Sequence, residues 1–222
     1  MSNARFGQVA AWVAGIATIL FALAMLIPDK TTANAFSCAS SIFISFGFLS
    51  LTCAFASTAK PERKSIAFAG VAFAAVYSTL ICLVYFTQLT TVLYRAASED
   101  ILNVLAYQPG SWLFNIDLFG YGLMSISCLL IGLSVNVESK ADSWMQKLLM
   151  IHIVFAFSCM IAPVLNAFSN TEGANQGIDM GTLALEFWCI YFTPIMLLAA
   201  GHFKKKSKYG TMLPNENTSL NG

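Results

Sequence analysis

The chain has 222 residues, of which 57% are hydrophobic and 10% charged, with a formal net charge of +1. A soluble domain carries roughly 25% charged residues, so water is the wrong solvent for most of this sequence. The near-neutral balance also leaves no basic footprint for nucleic acid.

Six stretches reach the ~20 predominantly apolar residues that a helix needs to cross a bilayer, at about 8–27, 36–57, 66–92, 112–135, 147–168 and 181–202. A transmembrane barrel would instead show segments of about ten residues with alternating polarity, and none occurs. The expected fold class is therefore all-α, a polytopic six-transmembrane-helix bundle forming a single domain over 1–203. Residues 204–222, basic and then polar, read as a disordered tail.

In the first stretch Arg5 precedes an apolar run, and Ala33-Asn34-Ala35 resembles a small-residue cleavage pattern. The apolar core of about 20 residues exceeds the 7 to 15 of a secretory signal, so an uncleaved helix is expected. The second stretch carries Ser37, Ser41 and Ser45, and the third carries Gly70, Ala74, Ser78 and Cys82. Small residues four apart let membrane helices approach closely, so these two faces are expected to pack together. All six cysteines fall within the stretches and read as packing residues with no disulfide.

The connection from Leu93 to Ser111 is the longest. Ser98 can cap a helix whose first turn holds Glu99 and Asp100, both favourable at a helix N-terminus. Ile101, Leu102, Val104 and Leu105 follow, and Pro109-Gly110 would end the element. A short amphipathic helix on the membrane surface is expected, either as a lid or as a plain cover over the bundle. Trp112 and Trp144 stand at the starts of spans, where amphipathic rings favour the headgroup layer.

Ten of the twelve Lys and Arg residues lie in alternate connections: Arg5; Lys60, Arg63 and Lys64; Lys140 and Lys147; and Lys204, Lys205, Lys206 and Lys208. The intervening connections hold only Lys30 and Arg95. Cation-rich connections stay cytoplasmic, so both termini are expected inside, with the run at Lys204–Lys208 as an anchor on anionic lipid.

Asp117 and Glu186 are the clear acids within the spans, and ionisable groups at membrane depth mark candidate functional sites. Each lies about five residues inside the outer end of its helix, roughly 8 Å at ~1.5 Å rise per residue, which puts them in one layer. Gln88 and Asn166, at the outer ends of the third and fifth spans, belong near it. Arg95 shares a face with Gln88 and could turn inward to a carboxylate. Asp117 also shares a face with Gly120, Tyr121, Met124 and Cys128, and Glu186 with Thr182, Cys189 and Thr193. The expected ligand-binding set is thus Asp117, Glu186, Gln88, Tyr121, Asn166 and Arg95, around a polar pocket open to the outside and lined by the third to sixth spans. Structural acids that merely hold helices together are the competing reading.

His152, near the cytoplasmic end of the fifth span, is expected ~20 Å in depth from Asn166, too far for a metal site with the two acids. His202 sits at the opposite end of its span from Glu186. No metalloprotease, nucleophile-elbow or phosphate-loop motif is present, so no catalytic residue, metal or cofactor is called for. A brief echo links Tyr85-Phe86-Thr87 to Tyr191-Phe192-Thr193; related halves would form inverted repeats, a transporter signature.

The segments Pro109-Gly110-Ser111-Trp112-x-Phe114-Asn115-x-Asp117-x2-Gly120-Tyr121-Gly122 and Leu185-Glu186-Phe187-Trp188-x2-Tyr191-Phe192-Thr193-Pro194 resemble those of a group of small bacterial integral membrane proteins. The resemblance runs over about 77–202. It implies a multi-pass protein of the bacterial cytoplasmic membrane and, as no activity is established for the group, assigns no residue a role.

Three functions stay open: small-molecule or ion binding or transport through the outward pocket, which leads; a membrane enzyme acting on a lipid; and a non-catalytic subunit of a membrane complex. The expected partners are membrane lipids, a small-molecule ligand, and a second copy or another membrane protein, with no nucleic acid.

Overall fold

The computed structural model describes residues 1–165 and 180–210, with side chains up to 165 and from 183 to 207. The protein is helical, with α1 (Asn3–Met25), α2 (Lys30–Thr58), α3 (Lys64–Thr87), α4 (Glu99–Leu105), α5 (Trp112–Ser134), α6 (Lys140–Ile151), α7 (Ile153–Val164) and α8 (Met180–Gly210). A 3-10 turn, Pro61–Arg63, leads into α3, and a π-helical turn, Gln88–Val92, continues it. Counting α6 with α7 as one broken span, six helical segments among the described residues are long and apolar enough to cross a membrane. This is the architecture of a multi-pass membrane protein.

The spans form a closed ring: α1 packs on α2, α2 on α3, α3 on α5, α5 on α6 and α7, α6 on α8, and α8 back on α1. Small residues make the tightest joints. A Cβ at Gly47 of α2 would lie 2.6 Å from the backbone nitrogen of Ala14 in α1, and one at Gly7 would lie 2.8 Å from the Phe203 ring of α8. Lipid tails supply no hydrophobic drive for helices to associate, so such close backbone approach is what holds them. The expected α2–α3 contact is half right. Ser45 Oγ and Cys82 Sγ meet at 3.6 Å, but Gly70 faces α5, where Ser127 Oγ donates to its carbonyl at 2.7 Å.

Side chains finish the helix ends that the backbone leaves unpaired. Asp29 caps α2 by accepting from the Thr32 amide at 2.9 Å, and its hydrogen bonds with Thr32 hold its carboxyl below the usual carboxylate range. Arg63 Nη1 donates to the carbonyls of Leu133 and Val135 at the end of α5, while Asn136 Nδ2 donates to Thr58 O at the end of α2. Two helix ends are thereby tied to each other's connections.

Several boundaries differ from expectation. The fifth span begins at Lys140, because Ser139 caps it by accepting from the Asp142 amide, so His152 falls mid-span at the break between α6 and α7. The sixth continues through the basic run to Gly210, so the tail expected from 204 is helical for its first seven residues; the remainder lies outside the described residues. Ser98 stands at the start of α4 without a side-chain capping bond, and α4 ends at Leu105 rather than at Pro109-Gly110. Its amphipathic character is as expected, with Leu102 buried and Ile101 and Val104 exposed.

Candidate functional site

At the end of the bundle away from the chain termini, the second turn of α5 carries Asp117, only 2% exposed. Its Oδ2 accepts from Tyr107 Oη at 2.7 Å and from Tyr85 Oη at 3.1 Å. Tyr85 comes from the last turn of α3. Tyr107 comes from the stretch after α4, and Gln88 helps hold that stretch: its Nε2 donates to Leu105 O at 2.8 Å. Beyond Tyr107 the chain turns at Gly110, with φ of 80°, and Ser111 caps α5 by accepting from the Phe114 amide. The loop therefore delivers a phenol to a buried carboxylate.

Burial of a carboxylate is costly unless its oxygens are hydrogen-bonded. Asp117 meets that demand on one side only: Oδ2 has two donors, whereas Oδ1 is buried with no hydrogen-bond partner among the described residues. Tyr121 Oη is in the same position. Both residues line a cavity of about 270 Å³ whose other walls include Phe114, Phe155, Phe187 and Trp188. Tyr121 and Trp188 meet edge to face at 5.3 Å, and Trp188 stacks on Phe192 at 4.9 Å. The cavity thus has rigid aromatic walls and one incompletely satisfied acid.

The face of α5 that was expected to point inward does so: Asp117, Gly120, Tyr121, Met124 and Cys128 are all buried. The remaining candidates are distributed differently. Glu186 does not line the Asp117 cavity, although Leu185 and Phe187 on either side of it do; its Oε1 is buried without a hydrogen-bond partner among the described residues. Gln88 and Arg95 line a separate cleft of about 340 Å³ with Lys30, Asn34 and Cys38. Arg95 does not turn inward. It sits in the left-handed region with φ of 51° and pairs with exposed Glu99, one turn along the surface. Asn166 lies outside the described residues.

His152 is closer to this region than the expected span limits implied. Trp188 Nε1 donates to its Nε2 at 3.1 Å, so the imidazole backs the indole that walls the cavity. The longer fifth span is the reason, since it moves His152 inward by about two turns. Tyr191 Oη meanwhile donates to Leu148 O, whereas Tyr85 binds Asp117, so the two tyrosines of the sequence echo do different work.

A second polar cluster stands at the end that carries the termini. Buried Asp142 and His202 meet through Oδ1 and Nδ1 at 2.8 Å. Asp142 Oδ2 accepts from Ser139 Oγ at 2.8 Å and from the Glu138 amide at 3.2 Å. Lys205 reaches Ser139, and Lys206 pairs with Glu138 at 3.5 Å. Serine, acid and histidine are all present, but the acid is the middle member. In a hydrolytic triad the imidazole stands between acid and hydroxyl and takes the proton, so this order suits a helix clasp rather than a nucleophile. Among the described residues no three His, Cys, Asp or Glu side chains gather as a metal-holding group.

No protein-family model matches this chain, and no curated protein or solved structure does either. The chemistry of the site is accordingly read from its own residues.

Proposed function

We propose that the protein is a non-enzymatic small-molecule binder or transporter of a bacterial cytoplasmic membrane, with the cavity at Asp117 as its site. The carrying observation is the buried Oδ1 of Asp117, unpartnered on the wall of an aromatic cavity. Ligand sites are concave, mostly apolar and furnished with a few placed polar groups, usually over about 300–1,000 Å³. A cavity of about 270 Å³ suits a ligand at the small end of that range.

The end that carries both termini faces the cytoplasm in this proposal, supported by ten of the twelve Lys and Arg residues, which lie in the connections and the helix ends of that side. The Asp117 cavity then lies in the outer half of the membrane. The cleft holding Gln88 and Arg95 is its outer neighbour, and Glu186 contributes to the polar layer without touching the cavity. In a cysteine-free background, Ser207→Cys is expected to react with an impermeant maleimide only after the cytoplasmic side is opened, and Ser98→Cys in intact cells. The reverse pattern inverts the topology.

Mass spectrometry of protein released in a mild detergent tests the binding reading. A small molecule should accompany the wild type and be at least tenfold depleted from Ala162→Phe, which fills the cavity from α7 while Ala162 itself is only half-buried. Equal retention by a folded Ala162→Phe places binding elsewhere. A stoichiometric protein companion with no small molecule favours a subunit role, and a chemically altered lipid favours catalysis.

A further inference from the structure

The cavity has one acid and no matching base. The two tyrosine hydroxyls can donate to Asp117 Oδ2, an arrangement that accommodates an ionised, acceptor-only carboxylate. Among the described residues no Lys, Arg or His pairs with it, and Oδ1 is left over. An ionised carboxylate buried without a counter-charge is costly, so an ionised Asp117 calls for a cation beside Oδ1.

The walls select the kind of cation. A hard metal ion such as Ca²⁺ takes six to eight oxygen ligands, whereas this lining is dominated by the rings of Tyr107, Phe114, Tyr121, Phe155, Phe187 and Trp188. Aromatic faces attract weakly hydrated organic cations, and they do so more strongly once water is excluded; quaternary ammonium groups are the usual guests of such aromatic cages.

An access route is present as well. α5 packs on α7, and α8 packs on α1 and α6, while α7 and α8 meet through side chains, Phe155 of α7 lying 6.3 Å from the Phe187 ring and 5.5 Å from the Tyr191 ring of α8. The cavity lies between them, lined by Phe155, Ser158, Cys159 and Ala162 on one side and by Ala184, Leu185, Phe187 and Trp188 on the other. Phe187 is 58% exposed at this seam. An amphipathic cation concentrated in the headgroup layer can slide its apolar body through the seam and bring its charge to Asp117.

We propose that the cavity is the site of an organic ammonium ion, paired with Asp117, caged by the aromatic walls and admitted from the lipid between α7 and α8. This assignment rests on the small-molecule reading above. The structure allows a clean comparison of probes: benzyltrimethylammonium and its uncharged carbon isostere, neopentylbenzene. Trp188 reports binding once the three exposed tryptophans, Trp12, Trp112 and Trp144, are replaced by Phe in nanodisc-reconstituted protein.

The cation should change Trp188 emission with at least tenfold higher affinity than the isostere, each referred to its concentration in the bilayer. Asp117→Asn should remove that preference while leaving the isostere within twofold. If Asp117→Asn does not fold, the wild-type preference decides alone. Equal affinities, or a preference unchanged in folded Asp117→Asn, overturn the ammonium assignment and leave a cavity for neutral ligands. No response to either probe, with no copurified molecule sensitive to Ala162→Phe, overturns both the assignment and the binding function.

Discussion

Gly47→Ala is expected to destabilise the bundle by about 3 kcal/mol, the upper end of the usual cost of overpacking. The added Cβ would lie 2.6 Å from Ala14 N, 2.9 Å from Ala14 Cβ and 3.0 Å from Ala14 Cα. Two of those three atoms are backbone and have no rotamer to change, so α1 and α2 must separate. Ala14→Gly is therefore expected to give little rescue, because it removes only the side-chain contact. Gly122→Ala offers the contrast: its Cβ would meet Met160 Cε and Cγ at 2.8 Å, and methionine has rotatable bonds with which to retreat. It should cost about 1 kcal/mol, the lower end of overpacking. Thermal unfolding in one detergent, with retained α1–α2 cross-linking as a second measure, separates the two cases. Equal losses at the two glycines would mean that the α1–α2 joint is softer than its geometry.

The second large effect belongs to the clasp between the last two spans. His202→Ala and Asp142→Ala should each cost about 2–3 kcal/mol, the upper part of the range for leaving one buried partner of a hydrogen bond unsatisfied. Asp142 and His202 are both buried, 2.8 Å apart, and Phe55 and Phe203 pack around the imidazole at 5.8 and 5.2 Å. The double replacement Asp142→Leu with His202→Phe should cost clearly less than the two single losses added, because it strands neither group. A double-mutant cycle by equilibrium unfolding measures the coupling. Additive losses would show that Asp142 and His202 act independently.

Much of the architecture is legible in the sequence because hydrophobic length carries it. A run of about 20 apolar residues has few fates other than a membrane span, whereas helix starts are less legible: Ser98 makes no side-chain capping bond, and Asp29 starts α2 at Lys30, ahead of the expected 36. Span ends are harder to read where polar residues find partners inside the bundle. Asp142 looks like a connection residue until His202 arrives to meet it, and that pairing is separated by sixty positions in the chain.

The site shows the same division. Asp117 stands out in the sequence because a lone acid in a span has few innocent explanations. Tyr85 and Tyr107 do not, since a tyrosine in an aromatic-rich chain is unremarkable and only the loop geometry sets Tyr107 over the carboxylate. Depth alone also grouped Glu186 with Asp117. Depth fixes height along the bundle but not rotation about the helix, and rotation is what directs Leu185 and Phe187 to the cavity while Glu186 stays off its lining.

The closed ring also bears on how the protein is made. The first helix lies against α2 on one side and α8 on the other, with Gly7 against Phe203 and Gly15 against Met196. At about 5–20 residues per second of synthesis, Met180 is added roughly eight to thirty seconds after Met25. Throughout that interval the groove of α1 reserved for α8 has only lipid, or the insertion machinery, to fill it. The nascent protein is an open crescent until its sixth span arrives to shut the bundle.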